Sequence, residues 1–208
     1  MNRKRAFDPV VDADTRLLIL GSLPGDASLR AGQYYGHPRN AFWRLIGGVI
    51  GRDLAALPYE ARLAPLGTTG IGLWDVIASA ERPGSLDAAI RAPEAADLRG
   101  LVSALPALRA VAFNGGKAAK LGRAVLADRP EAADLRGLTA SLPDLRAVAF
   151  NGGKAARLGR AVLTPPPGVA LVDLPSSSPA HARPFVQKAA AWAGLADWLG
   201  ERRSPPAV

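Results

Sequence analysis

A 37-residue segment occurs twice in immediate succession, at 93–129 and 130–166, aligned without a gap and identical at 29 positions. Whatever fold the chain adopts must accommodate the same local structure twice. Each copy reads as helix, strand, helix. Residues 94–104 and 131–141 carry apolar side chains at helical spacing. Residues 108–113 and 145–150 are short apolar runs closed by Asn-Gly-Gly, and 117–126 and 154–163 resume the helical period. Two copies cannot build a solenoid, which needs about three repeats to bury a continuous core. The duplication is therefore expected inside one domain spanning 1–208, with either 93–129 or 130–166 as an insertion. One copy then holds the original sheet position, while the other adds an edge strand, packs as an appendage or remains partly mobile. The short link at 164–168 favours the second copy for the sheet position.

The rest of the chain alternates in the same way. Residues 17–20, Leu-Leu-Ile-Leu, form a wholly apolar run, as a strand buried on both faces requires. A helix is expected at 41–50 with Asn40 as its N-cap, a short strand or turn at 70–74 and a helix opening at 75–80. A strand at 169–174 and an amphipathic helix at 183–199 complete the pattern. Strands separated by helices predict an α/β fold, a three-layer α/β/α sandwich around a short parallel sheet. With 49% hydrophobic and 21% charged residues the composition is that of an ordinary globular protein. There is no cysteine and there are only two histidines, which removes disulfides, iron–sulfur clusters and thiolate nucleophiles and leaves little for a zinc site. No metal and no cofactor is expected. The basic start, Met1-Asn2-Arg3-Lys4-Arg5, is followed by no apolar stretch of the kind a signal peptide needs, and no run reaches membrane-spanning length. A cytoplasmic protein is expected. The excess of 26 Lys and Arg over 18 Asp and Glu gives a net charge of +8, which favours an anionic partner, nucleic acid being the commonest large one.

Two loops follow apolar strands and should emerge at one sheet edge, where open α/β sheets place their sites. The first is Gly21-Ser22-Leu23-Pro24-Gly25. A helix starting after it offers free amides to an anion or polarised oxygen, although the loop matches neither GxGxxG nor a P-loop. Soon after comes Tyr34-Tyr35-Gly36-His37-Pro38-Arg39-Asn40-Ala41-Phe42-Trp43, dense in aromatic and polar side chains. Tyr34, Tyr35 and Phe42 can sandwich a flat ring, and Trp43 belongs with Ile46 in the core. Asn40, both donor and acceptor, can hold a water or the edge of a base; it can also simply cap the helix. His37 and Arg39 suit phosphates. The second loop lies in Leu174-Pro175-Ser176-Ser177-Ser178-Pro179-Ala180-His181-Ala182-Arg183, where short hydroxyls and amides stiffened by prolines can grip phosphates or serve as a plain connector. Asn114 and Asn151 end the duplicated strands. A carboxamide there can read a base with Lys117 or Lys154 near a phosphate, or form only an Asn-Gly turn. A serine esterase built on Ser22, or on a serine of 176–178 with His181, lacks the G-x-S-x-G elbow and leaves the aromatic cluster unexplained.

Together these segments resemble the uracil-DNA glycosylase superfamily, and within it the hypoxanthine (deoxyinosine) DNA glycosylase branch. The resemblance runs from Phe7 to Leu199 once one 37-residue copy is set aside. It implies a monofunctional enzyme of DNA repair that hydrolyses the N-glycosidic bond of a flipped-out deaminated base, foremost hypoxanthine, with neither metal nor strand cleavage. In that branch the asparagine of the Pro-Arg-Asn segment is catalytic, which falls here on Asn40. The implied base pocket comprises Gly21, Ser22, Leu23, Pro24, Gly25, Tyr35, Phe42, Asn114 and Asn151. The implied DNA contacts are His37, Arg39, Lys117, Lys154, Ser176, Ser177, Ser178, His181 and Arg183. Other branches carry a catalytic Asp or Asn in the first loop, where Leu23 stands, and uracil-specific enzymes a His where Leu174 stands. The lack of cysteine excludes the iron–sulfur branches. The expected partner is double- or single-stranded DNA containing a deaminated base, bound by a monomer without membrane contact. The alternatives are a glycosylase preferring uracil or xanthine, and a DNA-binding homologue whose catalysis the duplication has impaired.

Overall fold

Leu17, Leu18, Ile19 and Leu20 are all buried, because successive side chains of a strand point to opposite faces and both faces of this one are covered. The computed structural model describes residues 3–126, 142, 144–161, 165 and 167–200; the helix expected at 131–141 lies outside the described residues. In chain order, β1 (Arg3–Arg5) precedes β2 (Leu17–Gly21), α1 (Asp26–Ala31), α2 (Phe42–Val49) and α3 (Tyr59–Thr69). Then come β3 (Ile71–Asp75), β4 (Ile77–Glu81), β5 (Arg91–Ala95) and α4 (Leu98–Ser103). The first repeat continues with β6 (Ala110–Asn114) and α5 (Gly116–Leu126), and the second supplies β7 (Ala147–Asn151) and α6 (Gly153–Arg160). Finally β8 (Ala170–Leu174) leads to α7 (Phe185–Ala193). Five strands form a parallel sheet in the order β3-β2-β6-β7-β8.

The sheet is the middle of three layers. On one face Leu18, Leu20, Val111, Phe113, Val148 and Phe150 pack with α4, α5 and α6. On the other, Leu17, Ile19, Ala110, Ala112, Ala147 and Ala149 meet Phe42, Trp43, Ile46, Leu66 and Trp192 of α2, α3 and α7. The alanines of the two repeated strands face the layer with the largest rings, so bulk on the helices fills the space that small strand side chains leave. On the opposite face the relation reverses. Phe113 and Phe150 stack at 6.3 Å between ring centroids, and small residues of α5 and α6 cover them. The predicted α/β class and layering are thus observed. Among the described residues no helix is long and apolar enough to cross a membrane.

Three expectations need correction. Neither repeat is an appendage or an edge strand: β6 and β7 lie side by side inside the sheet, in register from Ala110↔Ala147 to Asn114↔Asn151. A 37-residue unit whose strand is apolar on both faces is buried most completely between neighbours, and its own crossover helix covers the added width. The helix expected at 75–80 is instead β4, paired antiparallel with β1 and β5 in a separate three-stranded sheet. Ile77 and Ser79 are buried while Ala78 is exposed, and Ala80 is covered as well. Finally, Glu94 and Ala95 belong to β5, so α4 begins at Leu98, where the Asp97 carboxylate accepts the Gly100 N–H at 2.9 Å. An N-cap aspartate at that point marks the true helix start.

Candidate active site

Gly21 ends β2 against the neighbouring β3: a Cβ there would lie 2.2 Å from Asp75 Oδ1, so any side chain would have to push that carboxyl aside. The loop that follows is held from outside. Arg82, itself buried, donates to Leu23 O at 3.1 Å and to Pro24 O. Ser22 Oγ donates to Asp87 Oδ1 at 2.6 Å, and the Asp26 amide to Ser85 Oγ at 2.8 Å. Three polar side chains outside the loop, Arg82, Ser85 and Asp87, therefore fix its path, and none of them was singled out from the sequence.

The aromatic segment closes the opposite wall. Tyr35 is one of two non-glycine residues with positive φ among those described (+54°), a conformation that persists where surrounding contacts enforce it. Its ring stacks on Phe42 at 3.5 Å with a 13° tilt, and its hydroxyl accepts from Asn114 Nδ2 at 2.8 Å. Burial pushes the Tyr35 phenol well above its ordinary pKa, so it stays protonated. Asn40 lies just before α2, and its Oδ1 accepts the Phe42 N–H at 3.0 Å. The N-cap of α2 is Ala41, without a side-chain capping bond, so Asn40 closes a turn one residue before the cap rather than serving as the expected cap itself; its Nδ2 amino group has no protein partner among the described residues. The next amide, Ala41 N–H, donates to Ser177 O at 3.0 Å. That single bond ties the Asn40 segment to the serine-proline loop, so the two distant loops share one rim at the carboxyl ends of the strands.

Between these walls lies a cavity of about 210 Å³. It is lined by Gly21, Ser22, Leu23, Pro24, Gly25, Tyr35, His37, Asn40 and Asn114, together with Tyr34, Asp75 and Ser85. Two residues expected in the pocket stand behind it instead. Phe42 is fully buried and supports Tyr35 from the rear. Asn151 is 3% exposed and saturated: its Nδ2 donates to Asn114 Oδ1 and Ser177 Oγ, and its Oδ1 accepts the Ser177 amide at 3.1 Å. The duplicated asparagines thus occupy successive places in one chain of bonds, Tyr35–Asn114–Asn151–Ser177, with Asn114 at the cavity.

The residues expected to meet DNA are spread along the same edge. Arg39, Lys154 and Arg183 are exposed, and Lys117 is half-buried in the first turn of α5. Ser176 and Ser178 are half-buried and brace the loop, their hydroxyls accepting the amides of Ser178 and Ala180. Ser177 is buried. His181 carries an unpartnered, buried Nε2 while its carbonyl accepts Lys188 Nζ at 2.9 Å.

Asp75 is the residue that sequence reading missed and the structure makes conspicuous. It is 4% exposed, it lines the cavity, and its Oδ2 has no hydrogen-bond partner. Loss of solvent raises its pKa to about 7, the nearby Arg82 charge opposing the rise and Asp87 adding to it. Because the folded-state value exceeds the unfolded one, the native state binds the extra proton between about pH 4 and pH 7. The protein accordingly loses stability as pH climbs through that window. Asp75→Asn should therefore match wild type near pH 4 and be more stable by a few kcal/mol at pH 8, read as the difference in urea midpoints at the two pH values. Equal midpoints at pH 8 would show that the carboxyl is not desolvated.

A family model for the uracil DNA glycosylase superfamily matches residues 9–196. Two curated relatives, hypoxanthine DNA glycosylases of Methanosarcina barkeri and Methanosarcina acetivorans, are 49% and 50% identical over 115 residues, which is 55% of this chain and 73% of each relative. A solution NMR structure of a candidate uracil DNA glycosylase from Methanosarcina acetivorans superposes with a TM-score of 0.67 at 35% identity, covering 95% of this chain and 99% of that one. With the family match spanning both rim loops and the whole parallel sheet, the chain belongs to the uracil DNA glycosylase superfamily.

Proposed function

We propose that this protein is a monofunctional DNA glycosylase that releases a deaminated base, foremost hypoxanthine, from DNA. The observation that carries the reading is the meeting of Asn40 with Gly21–Gly25, Tyr35 and Asn114 around one cavity, at the rim where Ser177 is tied to Ala41. Such a cavity is reached only by a base turned out of the helix, and a weakly paired base costs least to extrude. The two relatives that cover most of their own length here are named for hypoxanthine, which supports that base over uracil or xanthine.

In the reaction, the bond from the sugar C1′ to the base nitrogen breaks with its electron pair passing to the base, and the sugar approaches an oxocarbenium ion. A water oriented by Asn40 Nδ2 adds its oxygen to C1′. One of its protons stays on the new sugar hydroxyl and the other leaves to neutralise the base. Amides of the first loop and the Asn114 carboxamide stabilise charge on the departing ring. No lysine forms a bond to the sugar, so the DNA strand stays intact. On this reading residues 1–208 form one glycosylase domain with one repeat inserted. The protein acts in the cytoplasm as a monomer on double- or single-stranded DNA, using Arg39, Lys117, Lys154, Ser176, Ser178, His181 and Arg183 at phosphates.

End-labelled duplexes containing deoxyinosine, deoxyuridine or deoxyxanthosine test the proposal. Strand breaks should appear only after alkali, fastest for deoxyinosine. Breaks without alkali would refute the monofunctional chemistry, a faster deoxyuridine reaction would replace hypoxanthine by uracil, and tight binding with no product would leave a DNA-binding protein.

A further inference from the structure

The cavity holds one acidic group that the hydrolysis described above does not use. Asp75 closes the cavity at the end of β3, beside Gly21, whose missing side chain lets the carboxyl sit against the backbone of the first loop. Its Oδ2 is buried with no partner, an arrangement that costs free energy unless a ligand completes it. The charged and titratable groups facing it are Arg82 beyond β4, Asp87 before β5, and Tyr34 and Tyr35 across the cavity. Arg82 turns Nη1 and Nη2 onto the carbonyls of Leu23 and Pro24, and its buried Nε makes no hydrogen bond to Asp75. No salt bridge therefore explains why an acid stands here.

Building on the glycosylase reading, we infer that Asp75 is a specificity-determining residue, a neutral carboxylic acid that pairs with the lactam edge of the everted base. A neutral carboxyl carries one O–H donor and one C=O acceptor side by side. A ring N–H next to a ring C=O, as in hypoxanthine, offers the complementary acceptor and donor, so two bonds form once the carboxyl turns its buried Oδ2 toward the cavity. An ionised carboxylate has only acceptors; it repels the ring carbonyl and leaves it unsatisfied. Burial keeps the proton on Asp75 up to about pH 7, despite the opposing charge of Arg82. The same proton also spares the leaving base a negative neighbour at the moment it gains charge.

The test uses the full chain and two substitutions that separate shape from charge. Asn in place of Asp75 keeps an N–H and a C=O at the same positions but cannot ionise, whereas Ala removes both. Single-turnover release from a deoxyinosine duplex is measured from about pH 6 to about pH 8.5. Wild type should slow as pH rises through neutrality. Asp75→Asn should stay within about tenfold of wild type at the acidic end and lose that pH step, and Asp75→Ala should be slower by about tenfold to a hundredfold throughout. A wild-type profile retained in Asp75→Asn, or full activity in Asp75→Ala, overturns the inference. If wild type releases no base at all, the glycosylase reading fails, and a second measurement still decides the role of Asp75. Its carbon-13 carboxyl resonance, titrated against free hypoxanthine, should shift saturably and titrate at higher pH when the base is bound. An unmoved resonance overturns the inference there too.

Discussion

Asn40→Ala should slow base release by about a hundredfold to ten-thousandfold, the span associated with one positioned group in acid–base chemistry, while DNA affinity stays close to wild type. Asn40 has two separable jobs. Its Oδ1 accepts the Phe42 N–H at the start of α2, a bond whose loss costs about 1 kcal/mol of stability. Asn40 lines the cavity, and its Nδ2 makes no bond within the described residues, which leaves that amino group to orient a water. Asn40→Ser isolates the two, because a serine oxygen can accept the same N–H but reaches less far and lacks the amino group. The serine variant should melt with wild type and still be slow. Activity equal to wild type in Asn40→Ser would reduce residue 40 to a turn-former and move the chemistry elsewhere.

Phe113→Ala and Phe150→Ala should each destabilise the protein by about 3–5 kcal/mol, the usual cost of emptying a buried aromatic site. Both rings are buried, at 2% and 0% exposure, and they stack across adjacent strands. Each is also covered by a glycine of its own repeat: a Cβ on Gly122 would lie 2.5 Å from the Phe113 ring, and one on Gly159 2.2 Å from the Phe150 ring. The two repeats have thus built equivalent strand–helix contacts inside a shared core. Guanidinium unfolding of the two variants measures this. If one substitution proves nearly neutral while the other is severe, the neutral repeat is an attachment to the domain rather than part of its sheet.

Strands β2, β6, β7 and β8 were legible because each is a largely apolar run closed by Gly, Asn or Pro, a local signal that needs no partner, whereas β3 closes on Asp75. Residues 77–81 defeated the same reading. Ile-Ala-Ser-Ala-Glu satisfies a helical period as readily as a strand period over so few residues, and its pairing with Arg3–Arg5 is too distant in sequence to see. The site divides along similar lines. Gly21–Gly25, Tyr35, His37, Asn40 and Asn114 could be read as one constellation because loops after parallel strands converge on one edge. Asp75 and Arg82 carried no motif, and their importance lies in what surrounds them: a lone acid beside Gly21 and a guanidinium turned onto two loop carbonyls. Phe42 and Asn151 show the reverse. Their residue types suit a pocket, yet helix phase turns Phe42 inward, and one extra strand shifts Asn151 from the cavity to Ser177.

Water enriched in oxygen-18 tests the hydrolysis itself. When a deoxyinosine duplex is processed in that solvent, mass spectrometry should find unlabelled free hypoxanthine, and one labelled oxygen on the sugar carbon it left. Intact base on the DNA, or a protein–DNA adduct trapped by borohydride in place of the labelled sugar, would contradict the account.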